Sequence, residues 1–229
     1  PNWMQSIETL KRDHPSLSIP VSDMLQPQQV ISALDTLVQE DPETTVVTGV
    51  GQHQMWAAQF LSFNHENTFV SSGGLGAMGF ELPAALGVQV AKPEAPVWVV
   101  AGDGGFQMTL QELVTLTEEK LPVKIALVNN GSLGMVKQWQ EMYFDDHKKA
   151  VAVDGPNFIK LAEAYGVGAV RVTEHEEVLP ALRQAQTHDG PFLVEFVVDS
   201  STNVYPMVPP GGSLAETIED PAAARNAVS

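Results

Sequence analysis

Apolar residues along this chain follow two alternating patterns. A helical spacing from Pro27 to Val38 leads into a β-branched run from Thr44 to Thr48, which ends at glycine. The same order returns farther on, with an apolar run at Val97 to Val100, a helical segment from about Gln107 to Glu119, and a second apolar run at Val123 to Val128. Strands are therefore expected to alternate with helices.

The last third of the chain continues this alternation. Helices are expected at Asn157 to Tyr165 and Glu176 to Thr187, with strands at Ala169 to Val172 and Phe192 to Val198. Strands that are apolar throughout are buried on both faces. The pattern therefore predicts an α/β fold of the doubly wound class, with a mainly parallel sheet, right-handed crossovers and helices on both faces.

The pattern also suggests how the chain is divided. Residues 1–26 are polar and interrupted by proline, and the chain opens on Pro1, so we expect a linker from domains upstream. Residues 27–205 are expected to form the ligand-binding domain. Residues 206–229 contain Pro209-Pro210-Gly211-Gly212 and then alanine-rich sequence, which indicates an irregular C-terminal arm.

Composition narrows the possible chemistry. The 229 residues include 44% apolar and 17% charged residues, enough to bury a substantial core, and no run is long enough to predict a membrane span. No cysteine is present, and the six histidines lack a paired spacing, so any metal should be a hard cation bound by oxygen. A net charge of −16 opposes nucleic-acid binding.

Three glycine-containing loops follow predicted strands, at Gly49 to His53, Gly102 to Gly105 and Asn129 to Gly134. Ligands of parallel sheets bind beyond such strand ends. Asp103 and Asn130 lie 27 positions apart, the length of one crossover unit, so their side chains can meet at one edge of the sheet. Carboxylate and amide oxygens suit Mg²⁺, and a diphosphate can complete its shell. Each motif alone, however, is also a common turn or helix-cap signature.

These motifs resemble a known family. Gly102-Asp103-Gly104 followed by Asn129-Asn130 is similar to the thiamin diphosphate signature. The segments Gly49-Val50-Gly51-Gln52-His53-Gln54-Met55-Trp56, Ser72-Gly73-Gly74-Leu75-Gly76-Ala77-Met78-Gly79 and Leu133-Gly134-Met135-Val136-Lys137-Gln138-Trp139-Gln140 resemble acetohydroxyacid (acetolactate) synthase catalytic subunits. The resemblance runs from about Val21 to Gly212, and in that family this region is the C-terminal, cofactor-binding domain.

The resemblance assigns roles to individual residues. It implies Mg²⁺ bound by Asp103, Asn130 and the main-chain carbonyl of Ser132, and substrate contacts from Met135 and Trp139. The residues that it places around thiamin diphosphate are Val50, Gly51, Gln52, His53, Gly76, Met78, Gly102, Asp103, Gly104, Gly105, Asn130, Leu133, Gly134, Met135 and Val136. In the family, backbone groups matching Gly76 and Met78 hold the aminopyrimidine.

Several assignments have a structural alternative. His53 can equally be a helix residue without a ligand, whereas the amide of Gln52 is a better phosphate donor. Met78 can merely fill a gap, and Met135 with Trp139, four apart on one helix face, can be core packing. The chain also departs from its relatives, because residues 145–149 replace an aromatic and Arg-rich segment and Glu81 replaces a usual glycine.

The resemblance further implies an activity. The enzyme would condense two pyruvates, or pyruvate with 2-oxobutanoate, with loss of CO₂, in branched-chain amino acid biosynthesis. The activating glutamate belongs to a domain that these residues do not include, so this chain contains no catalytic residue and should be inactive alone. We expect FAD in the full-length enzyme, a homodimer or homotetramer, a possible small regulatory subunit, and a location in the bacterial cytoplasm, or in an organelle if the source is eukaryotic.

Two rival interpretations stay open. Another thiamin diphosphate enzyme, such as a 2-oxo acid decarboxylase, oxidase or carboligase, would share Asp103 and Asn130 but lack the segment from Met135 to Trp139. A nucleotide-binding module without activity could use the same fold, but it would not explain Asn130 at this spacing.

Overall fold

The computed structural model describes residues 2–14, 17–63 and 65–221. The chain divides into two compact units. One unit is residues 23–203, and the other combines residues up to 22 with those from 204 onward. The larger unit carries the whole sheet and all three predicted loops.

A six-stranded sheet forms the centre of the larger unit. Its strands are β1 (Thr45–Thr48), β2 (Phe69–Ser71), β3 (Val97–Gly102), β4 (Lys124–Asn129), β5 (Gly168–Val172) and β6 (Phe192–Val197). They lie in the order β2-β1-β3-β4-β6-β5, and every neighbouring pair is parallel. The predicted doubly wound α/β class is confirmed. The three-residue strand β2 was not predicted, because it is short and only half buried.

Helices connect the strands. They are α2 (Pro27–Glu40), α3 (Gln52–Phe60), α4 (Glu81–Ala91), α5 (Asp103–Thr109), α6 (Leu113–Glu118), α7 (Gly134–Tyr143), α8 (Phe158–Ala164) and α9 (His175–Thr187). Proline at its first position suits the start of α2, because the missing amide would have no partner there. The Asn157 side chain caps α8 by accepting from the amide of Lys160.

The core occupies both faces of the sheet. On one face, Val99 and Ile125 pack in a cluster with residues of α4, α5, α6 and α8. Successive strand residues point to opposite sides, so the buried Trp98 and Val100 face the other layer. There the indole Nε1 of Trp98 donates to Gln186 of α9 at 3.0 Å. Two helical layers therefore hold the strand ends in place.

One predicted helix begins earlier than expected. The sequence predicts a helix from about Gln107, but α5 already begins at Asp103, and a 3₁₀ turn at Leu110–Glu112 separates it from α6. The prediction was wrong because Gly104 was interpreted as part of a loop. A Cβ at Gly104 would lie 2.6 Å from Leu133 Cδ2, so glycine here permits close packing of the first helical turn.

The smaller unit also differs from expectation. Helix α1 covers Asn2–Asp13, inside the segment predicted as a linker. Its helical signal is the recurrence of Trp3, Ile7 and Leu10, although none of its residues is buried. The C-terminal segment contains a 3₁₀ turn at Leu214–Glu216; residues 222–229 of the predicted arm lie outside the described residues. Among the described residues, no helix has the length and apolar character needed to cross a membrane.

Candidate functional site

The three glycine loops meet at the carboxyl edge of the sheet. They follow β1, β3 and β4, and the direction of winding reverses between β1 and β3, which is where ligands bind in such folds. A cavity of about 280 Å³ opens there. Its wall contains every residue predicted to contact cofactor or metal, together with Gln54, Met55, Trp56 and Val128, which were not predicted as site residues.

Asp103 places a buried carboxylate at this cavity. One oxygen, Oδ1, accepts from the amide of Gly104 at 2.9 Å, whereas Oδ2 is buried and has no hydrogen-bond partner among the described residues. Burial raises the pKa of Asp103 to about 6, although nearby backbone amides act in the opposite direction. A carboxylate oxygen that lacks a partner in this position fits a bound cation.

Asn130 lies on the neighbouring loop, as the crossover spacing predicted. Strands β3 and β4 pair with Gly102 opposite Val128, so Asp103 and Asn130 follow adjacent strand ends. Asn130 Oδ1 accepts from the amide of Ser132 at 3.0 Å, and its Nδ2 donates to Gln52 Oε1 at 3.2 Å. The amide oxygen therefore belongs to the turn that presents the carbonyl of Ser132.

The possible metal ligands at this edge of the sheet are oxygen atoms. Within the described part of the chain, no group of three or more His, Cys, Asp or Glu side chains could hold a metal ion. A metal at this edge would depend on one carboxylate with amide and carbonyl oxygens. Such a set, completed by ligand oxygens or water, suits Mg²⁺ rather than zinc.

Gln52 has a different setting from the one expected for a phosphate donor. It is buried at the start of α3, and its Nε2 donates to Gln138 Oε1 at 2.9 Å and to the carbonyl of Thr202 at 3.3 Å. A contact of Gln52 with phosphate stays a prediction. Gln138, fully buried on α7, orients this amide and was missed, because a glutamine on an amphipathic helix usually faces solvent.

His53 is the second residue of α3 and also lines the cavity. Burial lowers its pKa to about 4, so its ring is neutral at physiological pH. A Cβ at Gly102 would lie 2.7 Å from His53 Nδ1, so the ring packs directly on that loop. Its Nε2 is buried without a partner among the described residues. His53 therefore packs against the loop after β3, and its contact with a ligand stays a prediction.

Gly76 and Met78 lie on the loop that follows β2. Gly76 has a φ of 66°, a conformation that favours glycine, and its amide donates to the carbonyl of Ser72 at 3.1 Å. The Met78 side chain reaches toward the loop after β3, since its Cε is 3.8 Å from a Cβ built at Gly104. Both residues therefore contribute to the cavity wall from a third direction.

Met135 and Trp139 line a second, more open groove on α7. Met135 and Val136 belong to both the cavity and the groove, whereas Trp139 belongs to the groove alone. Trp139 is 40% exposed, and its indole contacts the Tyr143 ring edge to face, with ring centroids 5.4 Å apart. The alternative prediction, that this pair packs in the core, does not hold for Trp139 because it is exposed.

Glu81 occupies a position that the sequence did not explain. It begins α4 and is fully buried, and neither carboxyl oxygen has a hydrogen-bond partner among the described residues. A Cβ at Gly49 would lie 2.4 Å from its Oε2, and one at Gly105 would lie 3.1 Å from its Oε1. Burial raises the pKa of Glu81 to about 7. The carboxyl group thus lies directly against two glycine loops.

Comparison with known proteins places this site in a family. The model of the thiamine pyrophosphate enzyme C-terminal TPP-binding domain matches residues 49–196. Relatives include an acetolactate synthase of Mycobacterium leprae, 43% identical over 93% of this chain and 35% of its own length. The acetolactate synthase large subunit of Corynebacterium glutamicum is 44% identical over 92% of the chain and 34% of its own length.

A third relative is the acetolactate synthase isozyme 2 large subunit of Escherichia coli, 39% identical over 95% of the chain and 40% of its own length. The chain therefore spans little more than a third of these relatives. The matched residues begin directly after β1 and contain β3 and β4 with all three loops of the cavity. This chain belongs to the family of C-terminal TPP-binding domains of thiamine pyrophosphate enzymes.

Proposed function

We propose that this chain is the cofactor-binding part of an acetolactate synthase large subunit. The enzyme would condense two pyruvates, or pyruvate with 2-oxobutanoate, with loss of CO₂. The observation that carries the proposal is the buried, unpartnered Oδ2 of Asp103 beside the Asn130 turn, inside a cavity lined by the residues of the family signature. The relatives described above are acetolactate synthases, which supports the reaction.

Asp103 and Asn130 would hold Mg²⁺ together with the carbonyl of Ser132. The metal would satisfy the carboxylate oxygen that has no protein partner in the described residues, and its charge would favour the ionised form of Asp103. The diphosphate of the cofactor would then complete the oxygen shell. This arrangement explains how a chain with a net charge of −16 can bind a polyanion.

The remaining wall would hold the organic part of the cofactor. The amino ends of α3 and α7 open on the cavity at Gln52 and Gly134, so their free amides can donate to phosphate oxygens. Backbone groups of Gly76 and Met78 would contact the aminopyrimidine. Thiamin diphosphate supplies an electron sink for decarboxylation of a 2-oxo acid, whereas these residues bind and orient it.

The open groove on α7 would be the substrate side of the site. It adjoins the cavity through Met135 and Val136 and exposes Trp139. An aromatic wall at this place can distinguish second substrates that differ by one methylene group, since each such group is worth about 1–3 kcal/mol in an apolar pocket.

The proposal extends to parts of the enzyme beyond these residues. The activating glutamate, and FAD if it is present, would belong to upstream domains of the polypeptide. The active site would form between subunits of a dimer or tetramer, and a small regulatory subunit could bind the assembly. We place the enzyme in the bacterial cytoplasm, or in an organelle of a eukaryote.

Titration of the whole polypeptide with thiamin diphosphate tests the cofactor site. We expect saturable quenching of tryptophan fluorescence that requires Mg²⁺, and a loss of affinity of about tenfold or more in Asp103→Asn. Asp189→Asn is the matched control, because Asp189 is exposed before β6 at the opposite edge of the sheet. Binding that does not depend on Mg²⁺, or an unchanged affinity in Asp103→Asn, would contradict the proposal.

Product analysis separates the proposed reaction from that of other thiamin diphosphate enzymes. The loaded enzyme should convert pyruvate into acetolactate. Acetaldehyde or an oxidised product in its place would indicate a decarboxylase or an oxidase with the same metal site.

A further inference from the structure

Glu195 is a buried carboxylate in the middle of the sheet. It lies on β6, between β4 and β5, and is only 1% exposed. Its neighbour two positions earlier, Leu193, belongs to the core cluster, so both side chains point to the same layer of helices. A buried charge of this kind is costly unless each oxygen has a donor.

Two donors from the flanking strands meet this carboxylate. Arg171 lies directly opposite on β5, and its Nε donates to Oε2 at 2.8 Å. Asn129 ends β4, and its Nδ2 donates to Oε1, also at 2.8 Å. Arg171 is 43% exposed, so the network runs from the surface of an edge strand to the interior.

The carboxylate determines which way the Asn129 amide faces. A carboxylate can only accept, so Asn129 must turn its NH₂ group toward Glu195 and its Oδ1 away. Oδ1 accepts from the amide of Gly131 at 3.1 Å. A backbone amide can only donate, so the two contacts require the same orientation. Reversal of the amide would break both hydrogen bonds.

Gly131 belongs to the turn that carries the proposed metal ligands. It has a φ of 65° and lies between Asn130 and Ser132. Two successive hydrogen bonds hold this turn: the Gly131 amide donates to Asn129 Oδ1, and the Ser132 amide donates to Asn130 Oδ1. The position of the turn therefore depends on Asn129, and the orientation of Asn129 depends on Glu195.

We propose that Glu195 is a positioning residue for the metal-binding turn, acting through Asn129 and held in place by Arg171. This inference rests on the proposed function. Glu195 does not itself line the cavity, so it would affect metal affinity without contacting metal or cofactor. Partners of metal ligands commonly change metal affinity by about 10–100-fold when they are removed.

The test measures Mg²⁺ affinity of the whole polypeptide at saturating thiamin diphosphate. Glu195→Met keeps most of the side-chain volume but removes the acceptor, and we expect the Kd for Mg²⁺ to rise about tenfold or more. High Mg²⁺ should restore full cofactor binding. Asn129→Ala breaks the same connection at an incompletely buried position, and it should raise the Kd similarly even if Glu195→Met fails to fold.

Two controls separate positioning from general destabilisation. Val194→Ala alters the adjacent buried residue of β6, which points to the other face, and should lower stability without changing the Kd for Mg²⁺. The double variant of Glu195→Met and Asn129→Ala should bind Mg²⁺ about as weakly as either single variant, since both break one connection.

The outcomes are distinguishable. If the unchanged polypeptide does not bind thiamin diphosphate with Mg²⁺, the proposed function is wrong and this inference is wrong with it. If it binds normally but Glu195→Met or Asn129→Ala retains its Mg²⁺ affinity, only the inference is overturned. Effects that multiply in the double variant would also overturn it.

Discussion

Glu81 makes stability depend on pH at the scale of a single residue. The unfolded chain would ionise this carboxyl near its ordinary pKa of 4.5, whereas burial raises the folded-state pKa to about 7. The folded state therefore binds more protons between these values, and its stability falls as pH rises from about 4.5 to 7. The full effect is about 3 kcal/mol, because each pKa unit corresponds to about 1.4 kcal/mol.

Glu81→Gln tests this dependence, because glutamine has nearly the same shape and cannot ionise. We expect the free energy of unfolding of the variant, minus that of the unchanged protein, to increase by about 3 kcal/mol from acidic to alkaline pH. Urea denaturation at pH values below 4.5 and above 7 measures this difference. The pKa of Asp103 is also raised by burial, but Asp103 is present in both proteins, so its contribution cancels in the difference between them. A constant difference across pH would refute the prediction.

Gly134→Ala should disturb the contact between the loops. A Cβ at Gly134 would lie 1.9 Å from Gln52 Oε1 and 2.7 Å from Asn130 Nδ2, and Gln52 cannot retreat easily because Gln138 holds it. We expect a loss of about 1–3 kcal/mol of stability and weaker Mg²⁺ binding.

Gly87→Ala is the matched control, since Gly87 lies inside α4 with nothing within 4 Å of an added Cβ. It should stabilise the protein by about 0.5–1 kcal/mol, because alanine is a better helix former. Thermal denaturation of the two variants compares them directly, and equal effects would contradict the assignment of Gly134.

The sequence predicted some residues of the site and not others for a physical reason. Asp103 and Asn130 lie in short motifs with a fixed spacing, so local pattern and crossover length bring them together. Glu81 and Gln138 are polar residues on helices, where solvent exposure is the ordinary expectation. Only tertiary packing buries them, and no local pattern carries that information.

Whole helices and strands could also be predicted only where the sequence carries a clear local pattern. The strands β1, β3, β4 and β6 were predicted because both of their faces are buried, which leaves continuous apolar runs. β2 and α5 were not predicted correctly. A three-residue strand has too little pattern, and the glycines that let α5 pack closely look like a turn in the sequence.

Trp139→Leu tests the role of α7. If the exposed indole selects the larger second substrate, the variant should form less 2-aceto-2-hydroxybutanoate relative to acetolactate when pyruvate and 2-oxobutanoate compete. Cofactor affinity should hardly change, because Trp139 lies outside the cavity wall. An unaltered product ratio would rule out this role.

Tyr143→Leu is a suitable control for that experiment. It removes the ring that packs edge to face against Trp139 but keeps the indole itself. We expect a smaller change in product ratio than in Trp139→Leu. Product ratios from competition assays, together with thiamin diphosphate titrations, distinguish a substrate contact from a general change in α7.

The length of the chain limits the activity that we expect from it alone. The chain spans 35% of the Mycobacterium leprae relative and 34% of the Corynebacterium glutamicum relative. If the activating glutamate belongs to an upstream domain, this chain alone should produce no acetolactate and bind thiamin diphosphate at most weakly. The whole polypeptide, assayed in parallel, is the positive control. Measurable acetolactate from the 229 residues alone would disprove the expectation.

The place of β6 in the sheet has a consequence for the order of folding. β6 is the last strand in sequence, yet it lies between β4 and β5. During synthesis, β4 and the turn after it leave the ribosome about 60 residues before Phe192, which begins β6. Until that strand inserts, Asn129 has no carboxylate to orient it. The metal-binding turn would therefore acquire its final shape only when nearly the whole domain has been made.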